Sequence, residues 1–169
     1  MSTALYIGRF QPFHNGHLQA VKDILQHHSK IIIALGSSQE SNTAENPWSY
    51  DERKAMINAV MKKEGIKNNR EYTILAVPDI NHHAQWVEHV CRCVGKFDVM
   101  YTGSALTKKL FSEKGFVIAD LPRHGEISAS EIRKRIIEGM NRKEFVPKEV
   151  VPFVEKKTAL IKKLSIKAE

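Results

Sequence analysis

The sequence predicts an α/β fold. Residues 1–169 are expected to form one domain, with a five-stranded parallel sheet and flanking helices over 1–147 and a C-terminal helical region over 148–169. Three observations predict it. Short apolar runs alternate with segments of helical periodicity along the chain. The run Ile31, Ile32, Ile33, Ala34, Leu35 is apolar without a break, as a strand covered on both faces requires. Strands spaced by single helices give right-handed crossovers, and hence parallel pairing.

The elements follow in order. Ala4, Leu5, Tyr6 and Ile7 form the first strand, and Leu18, Val21, Ile24 and Leu25 give the helical spacing of a segment from near Gly16 to His28. The second strand covers 31–35, and a polar loop covers 36–47. Ser49-Tyr50-Asp51-Glu52 reads as a capping box, opening a helix that ends near Gly65. The third strand, 72–77, is stopped by Pro78, and a loop leads to a helix over 85–94. A fourth strand over 98–101 runs through Thr102-Gly103-Ser104 into a helix over 106–113. The fifth strand is placed at 116–119, the loop at 121–127 and the next helix at 130–138. A terminal helix over 148–164 carries Pro152 in its first turn, where proline is tolerated. In sheets of this kind ligands bind beyond the carboxyl ends of the strands, where the strand order reverses. Each distinctive loop (8–17, 36–47, 78–86, 102–104 and 121–130) follows such an end.

Composition narrows the class. Apolar residues make up 42% and charged residues 27%, the balance of a soluble globular chain. No apolar run is long enough to span a bilayer, and the opening Met1-Ser2-Thr3 has no basic region, so neither a membrane anchor nor a signal peptide is expected. Cys91 and Cys93 lie two apart on a helix and point in different directions, which fits a reduced, cytoplasmic protein. The net charge of +7 suits an anionic partner, either nucleic acid or a small polyphosphate. Lys156, Lys157, Lys162, Lys163 and Lys167 read as a solvated helix face.

The densest signal is Gly8-Arg9-Phe10-Gln11-Pro12-Phe13-His14-Asn15-Gly16-His17, between the first strand and its helix. A helix N-terminus offers free N–H groups and partial positive charge to phosphate. His14 and His17, three apart, share one side of the turn, and Gly16 lets a ligand approach the backbone. The stretch carries the HxGH signature of the nucleotidylyltransferase superfamily and resembles the opening of archaeal-type nicotinamide-nucleotide adenylyltransferases. Ile127-Ser128-Ala129-Ser130-Glu131-Ile132-Arg133 is similar to the second superfamily motif, with serine for threonine. Pro78-Asp79-Ile80 through Trp86-Val87 resembles that family's nicotinamide-nucleotide loop. The resemblance spans the chain. It implies a Rossmann-like fold, strand order 3-2-1-4-5, ATP and nicotinamide mononucleotide as substrates, NAD as product, substrate-bound Mg²⁺ and a homo-oligomer, often a hexamer.

Adenylyl transfer needs positioning and electrostatics more than covalent work. The resemblance assigns His14, His17 and Arg133 to catalysis on the triphosphate, with phosphate expected to favour charged imidazoles. Gly8, Arg9, Phe10, Gly103, Ser128 and Ser130 complete the ATP side; Ser128 also reads as an N-cap, with Glu131 closing a capping box. Arg135 is expected to point away into solvent. Arg9, Gln11, Asp79, Ile80, Asn81, His83 and Trp86 form the expected acceptor side. Trp86 is either the nicotinamide platform or a core tryptophan. His83 stands where the family has asparagine, so His83 or Asn81 reads the amide. Some relatives carry an arginine near Glu45; this chain has none there, and Arg53 is the candidate substitute. Rival readings are transfer to phosphopantetheine or flavin mononucleotide, and a basic nucleic-acid-binding module, for which no aromatic–basic interleaving or reading-helix motif is present.

Overall fold

A computed structural model describes residues 1–121 and 128–166, apart from the side chain of His83. Five parallel strands are ordered β3-β2-β1-β4-β5. They are β1 (Thr3–Gly8), β2 (Lys30–Gly36), β3 (Tyr72–Val77), β4 (Val99–Thr102) and β5 (Ile118–Ala119). Helices α1 (Asn15–His27), α2 (Tyr50–Lys63), α3 (His83–Val94), α4 (Ala105–Glu113), α5 (Ala129–Glu138) and α6 (Val151–Ile166) connect and follow them. The order reverses at β1, which pairs with β2 on one side and β4 on the other and sets Ile7 beside Thr102.

The period-2 alternation of the strands sorts the core into two layers. Ala4, Tyr6, Ile31, Ile33 and Leu35 face α1, α2, α5 and α6 in one cluster. Leu5, Ile7, Ile32 and Ala34 face α3 and α4 in the other. This two-sided burial is why Ile31–Leu35 reads as an unbroken apolar run.

Local chemistry sets the helix starts. The Ser49 hydroxyl accepts from the Glu52 N–H, and Glu52 accepts from the Ser49 N–H, as the capping-box spacing predicts. Ser104 and Ser128 cap α4 and α5 by accepting from the N–H groups of Thr107 and Glu131. The Glu131 carboxylate accepts from Arg135 at 3.1 Å. Arg135 is only partly solvated: it also lies over the Phe145 ring at 4.7 Å.

Two elements begin later than expected. The fifth strand pairs only over Ile118–Ala119, because the Phe116 N–H closes the end of α4 by donating to Phe111 O and its ring joins Phe97 and Phe111. The last helix starts at Val151, since residues 147–151 form tight turns, and a short 3-10 turn at Lys143–Phe145 precedes it. Of the C-terminal lysines, Lys157 departs from the solvated face. It is 13% exposed and bonds Glu52 at 3.1 Å and Asn42 at 2.8 Å, tying α6 to α2 and to the 36–47 loop. Lys167 lies outside the described residues.

Candidate active site

The cleft opens at the carboxyl ends of β1 and β4, where the strand order reverses. It holds about 460 Å³ and is walled by Gly8, Arg9, Phe10 and His17 from the first turn. Thr102, Gly103 and Ser104 line the β4 side, and Asp79 and Trp86 reach in from the β3–α3 connection. A second hollow, lined by Glu40, Thr43, Glu45 and Asn46, shares Arg9, Ser37 and Asp79 with it.

The first turn is built tightly. Phe10 sits at φ 52°, a conformation that side chains rarely adopt and that concentrates at functional sites. Its ring meets Tyr6 edge-on at 5.1 Å and His17 at 4.8 Å, and a side chain at Gly8 would stand 3.3 Å from it. His14 is the N-cap of α1 and forms a capping box with His17. The two rings stack with centroids 3.5 Å apart. Burial pushes His14 down to about 4 and His17 well below its ordinary value, helped by the neighbouring imidazole. In the protein alone desolvation therefore favours the neutral imidazoles; the expectation of charged rings applies to the pair beside bound phosphate.

Arg133 reaches the same turn from α5. Its guanidinium donates to Gln11 O at 2.7 Å and to Ser130 Oγ at 3.3 Å. Burial lowers its pKa first; Arg9 lowers it further and Glu45 opposes, so these three charges share one locality. Arg9 itself bonds Glu45 at 3.2 Å. His14, Ser128, Ser130 and Arg133 lie beyond the cleft wall proper, with Arg133 anchored at its edge through Gln11.

Two sequence candidates turn out to be scaffold. Gln11 is buried, and both ends of its amide bond the backbone of Trp48, at 2.8 and 3.0 Å. That engagement takes it away from the acceptor side. Arg53 is fully buried and donates to the carbonyls of Arg9, Gly36, Ser37 and Ser49. It pins the ends of β1 and β2 to α2 and leaves no free fork for the loop; desolvation lowers its pKa to about 10. Its position was legible, because Arg53 extends the buried stripe Met56, Ile57, Val60, Met61 back by one turn. A charge on an apolar stripe signals a buried partner.

Of the acceptor residues, Trp86 lines the cleft and also packs against the core beneath α3. The backbone N–H of Asp79 donates to Gln39, joining the two loops. Ile80 and Asn81 are not among the walls, and Asn81 is exposed. The His83 side chain and most of the 121–127 loop, Ile127 included, fall outside the described residues. Cleft residues that sequence reasoning passed over include Tyr6 and Thr107, while Ser37 and Thr102 were marked only as members of the 36–47 and 102–104 loops. Tyr6 was hidden inside a strand run.

A cleft of about 460 Å³ at the switch point of a Rossmann-type sheet, with a helix start and two arginines beside it, defines a nucleotide-handling α/β protein. The chain belongs to the cytidylyltransferase-like family, whose sequence profile matches residues 5–135. It is 40% identical over 153 residues to the nicotinamide-nucleotide adenylyltransferase of Thermococcus sibiricus, covering 89% of this chain and 82% of that one. It is 41% identical over 154 residues to the protein of the same name from Methanococcus aeolicus, covering 90% and 87%. Its fold is similar to that of a bifunctional NMN adenylyltransferase/ADP ribose pyrophosphatase from Francisella tularensis, with a TM-score of 0.76 at 24% identity. That likeness covers 97% of this chain, which spans only 52% of the bifunctional protein.

Proposed function

We propose that this protein transfers the adenylyl group of ATP to nicotinamide mononucleotide, forming NAD and pyrophosphate. The observation that carries the reading is the clasp of Arg133 on the first turn: α5 and the β1–α1 turn meet at Gln11 O, so the second phosphate-type motif is tied to the turn whose Arg9, Phe10 and His17 wall the cleft. The acceptor phosphate oxygen attacks the α-phosphorus, and the bond from that phosphorus to the pyrophosphate oxygen breaks in line. Arg133 and Arg9 neutralise charge that grows on the phosphates. His14 and His17 hold phosphate oxygens, and the N-terminus of α1 adds its free N–H groups. Ser130 positions Arg133, and Ser128 holds the helix start. Gly103 leaves room for the nucleoside, and the exposed edge of Trp86 offers a face to the flat pyridinium cation. Arg53 and Gln11 position the turn without touching substrate.

Among the described residues no three His, Cys, Asp or Glu side chains gather to hold a metal ion. Mg²⁺ belongs to the same reading, as a substrate-bound cation that would supply charge neutralisation. Assembly into a homo-oligomer and residence in the cytoplasm belong to the same reading. The free Cys91 and Cys93 fit a reducing compartment, and sedimentation decides the assembly.

The test is turnover with ATP, Mg²⁺ and a panel of acceptors, with NAD and pyrophosphate both measured. NAD formed from nicotinamide mononucleotide supports the reading; pyrophosphate released only with phosphopantetheine or flavin mononucleotide replaces it. Arg133→Ala should lower kcat by about 10²-fold or more. A mild change in both kcat and ATP affinity removes Arg133 from the catalytic set.

A further inference from the structure

The stacked imidazoles bind each other's backbone. The His17 N–H donates to Nδ1 of His14 at 3.4 Å, and the His14 N–H donates to Nδ1 of His17 at 3.2 Å. A backbone amide is only a donor, so each Nδ1 is an acceptor and carries no proton. The proton of each neutral ring then sits on Nε2. Protonating either Nδ1 breaks one arm of the capping box that starts α1.

The surroundings favour the same state. With ring centroids 3.5 Å apart, two imidazolium charges would face each other in contact. Phe10, Phe13 and Tyr6 rings wall His17, at 4.8, 5.5 and 6.3 Å. The ionisable groups nearby come from three directions. β1 contributes the Tyr6 phenol, which burial keeps protonated, and its following turn contributes Arg9. α5 contributes Arg133. The Lys143–Phe145 turn meets α1 through the bond from Asn15 to the Glu144 carbonyl, while the Glu144 side chain is exposed.

We infer that His14 and His17 meet the polyphosphate as uncharged Nε2–H donors, and that the positive charge of the site is supplied by Arg133 and Arg9. The inference rests on the polyphosphate reading above but not on the identity of the acceptor. Burial, which lowers both imidazoles, agrees with it. In the transfer step the bond from α-phosphorus to acceptor oxygen forms, and the electron pair of the broken bond leaves on pyrophosphate. Neither imidazole gains or loses a proton. The helix cap is thus the device that sets the tautomer of the site, and Arg133 is the group whose charge the reaction needs.

The test is ¹⁵N spectroscopy of histidine-labelled protein near neutral pH, free and saturated with ATP and Mg²⁺, with resonances assigned from His14→Gln and His17→Gln. Both Nδ1 signals are expected in the unprotonated acceptor range with and without ATP, and both Nε2 signals are expected to stay protonated and to move on binding. A shift of either Nδ1 into the protonated range overturns the inference while leaving the polyphosphate site intact. ATP that binds without moving either Nε2 signal overturns the site reading and the inference together. Kinetics give a second arm, because glutamine keeps a neutral N–H near the Nε2 position whereas lysine supplies a cation. His17→Gln turning over faster than His17→Lys supports the inference, and the reverse order overturns it.

Discussion

Lowering the pH from about 7.5 to about 5 is expected to remove about 2 kcal/mol of folding free energy through His14 alone. His14 is 7% exposed, and burial lowers its pKa from 6.5 to about 4. The sign follows from which state takes the proton first. Between these two values the unfolded chain binds it and the folded protein does not, so stability falls as pH falls through 6.5, with the loss complete below about 4. At about pH 5 the separation from the unfolded value is about 1.5 units, each worth about 1.4 kcal/mol. His17, lowered in the same direction, adds to the loss. The assay is urea denaturation at both pH values for the wild type and for His14→Asn. Asparagine keeps an N-cap but does not titrate. The wild-type midpoint should fall further than the variant's by roughly 1 M urea. Equal acid sensitivity in the two proteins would refute the reasoning, since titration of carboxylates is common to both.

Arg53→Leu should cost about 3–5 kcal/mol, because it strips four carbonyls of their donor, and should lower Tm by roughly 10 °C. A calorimetric shift under about 3 °C contradicts the buried clamp. Gly8→Ala should cost about 1 kcal/mol of stability by pressing on the Phe10 ring 3.3 Å away, and kcat should fall more than the lost stability explains, since Phe10 packs on His17; unchanged turnover at saturating substrate argues against a tight first turn. Lys157→Met should lose about 1 kcal/mol by releasing Glu52 and Asn42, with faster proteolysis of the 36–47 loop as the readout. Trp86→Ala should raise KM for nicotinamide mononucleotide much more than KM for ATP; equal rises place the tryptophan in the core role alone.

The sequence by itself determined the order of elements, the parallel sheet and the two phosphate-type motifs. Those features are written in short-range chemistry: the unbroken apolar run Ile31–Leu35, the Ser49–Glu52 capping box, and the glycine and histidine spacing at 8–17. What only the tertiary structure decided is how polar side chains divide between substrate and scaffold. Gln11 and Arg53 look like ligand residues in the chain and become fasteners in the fold, because their partners are carbonyls and amides from segments far away in sequence. The charge state of His14 and His17 is likewise a product of packing. Local spacing sets the reciprocal cap, but the burial that keeps both rings neutral comes from the sheet, the Phe10 and Phe13 rings and the surrounding helices closing over them. Desolvation depends on everything that surrounds a group, and no local pattern of residues encodes it.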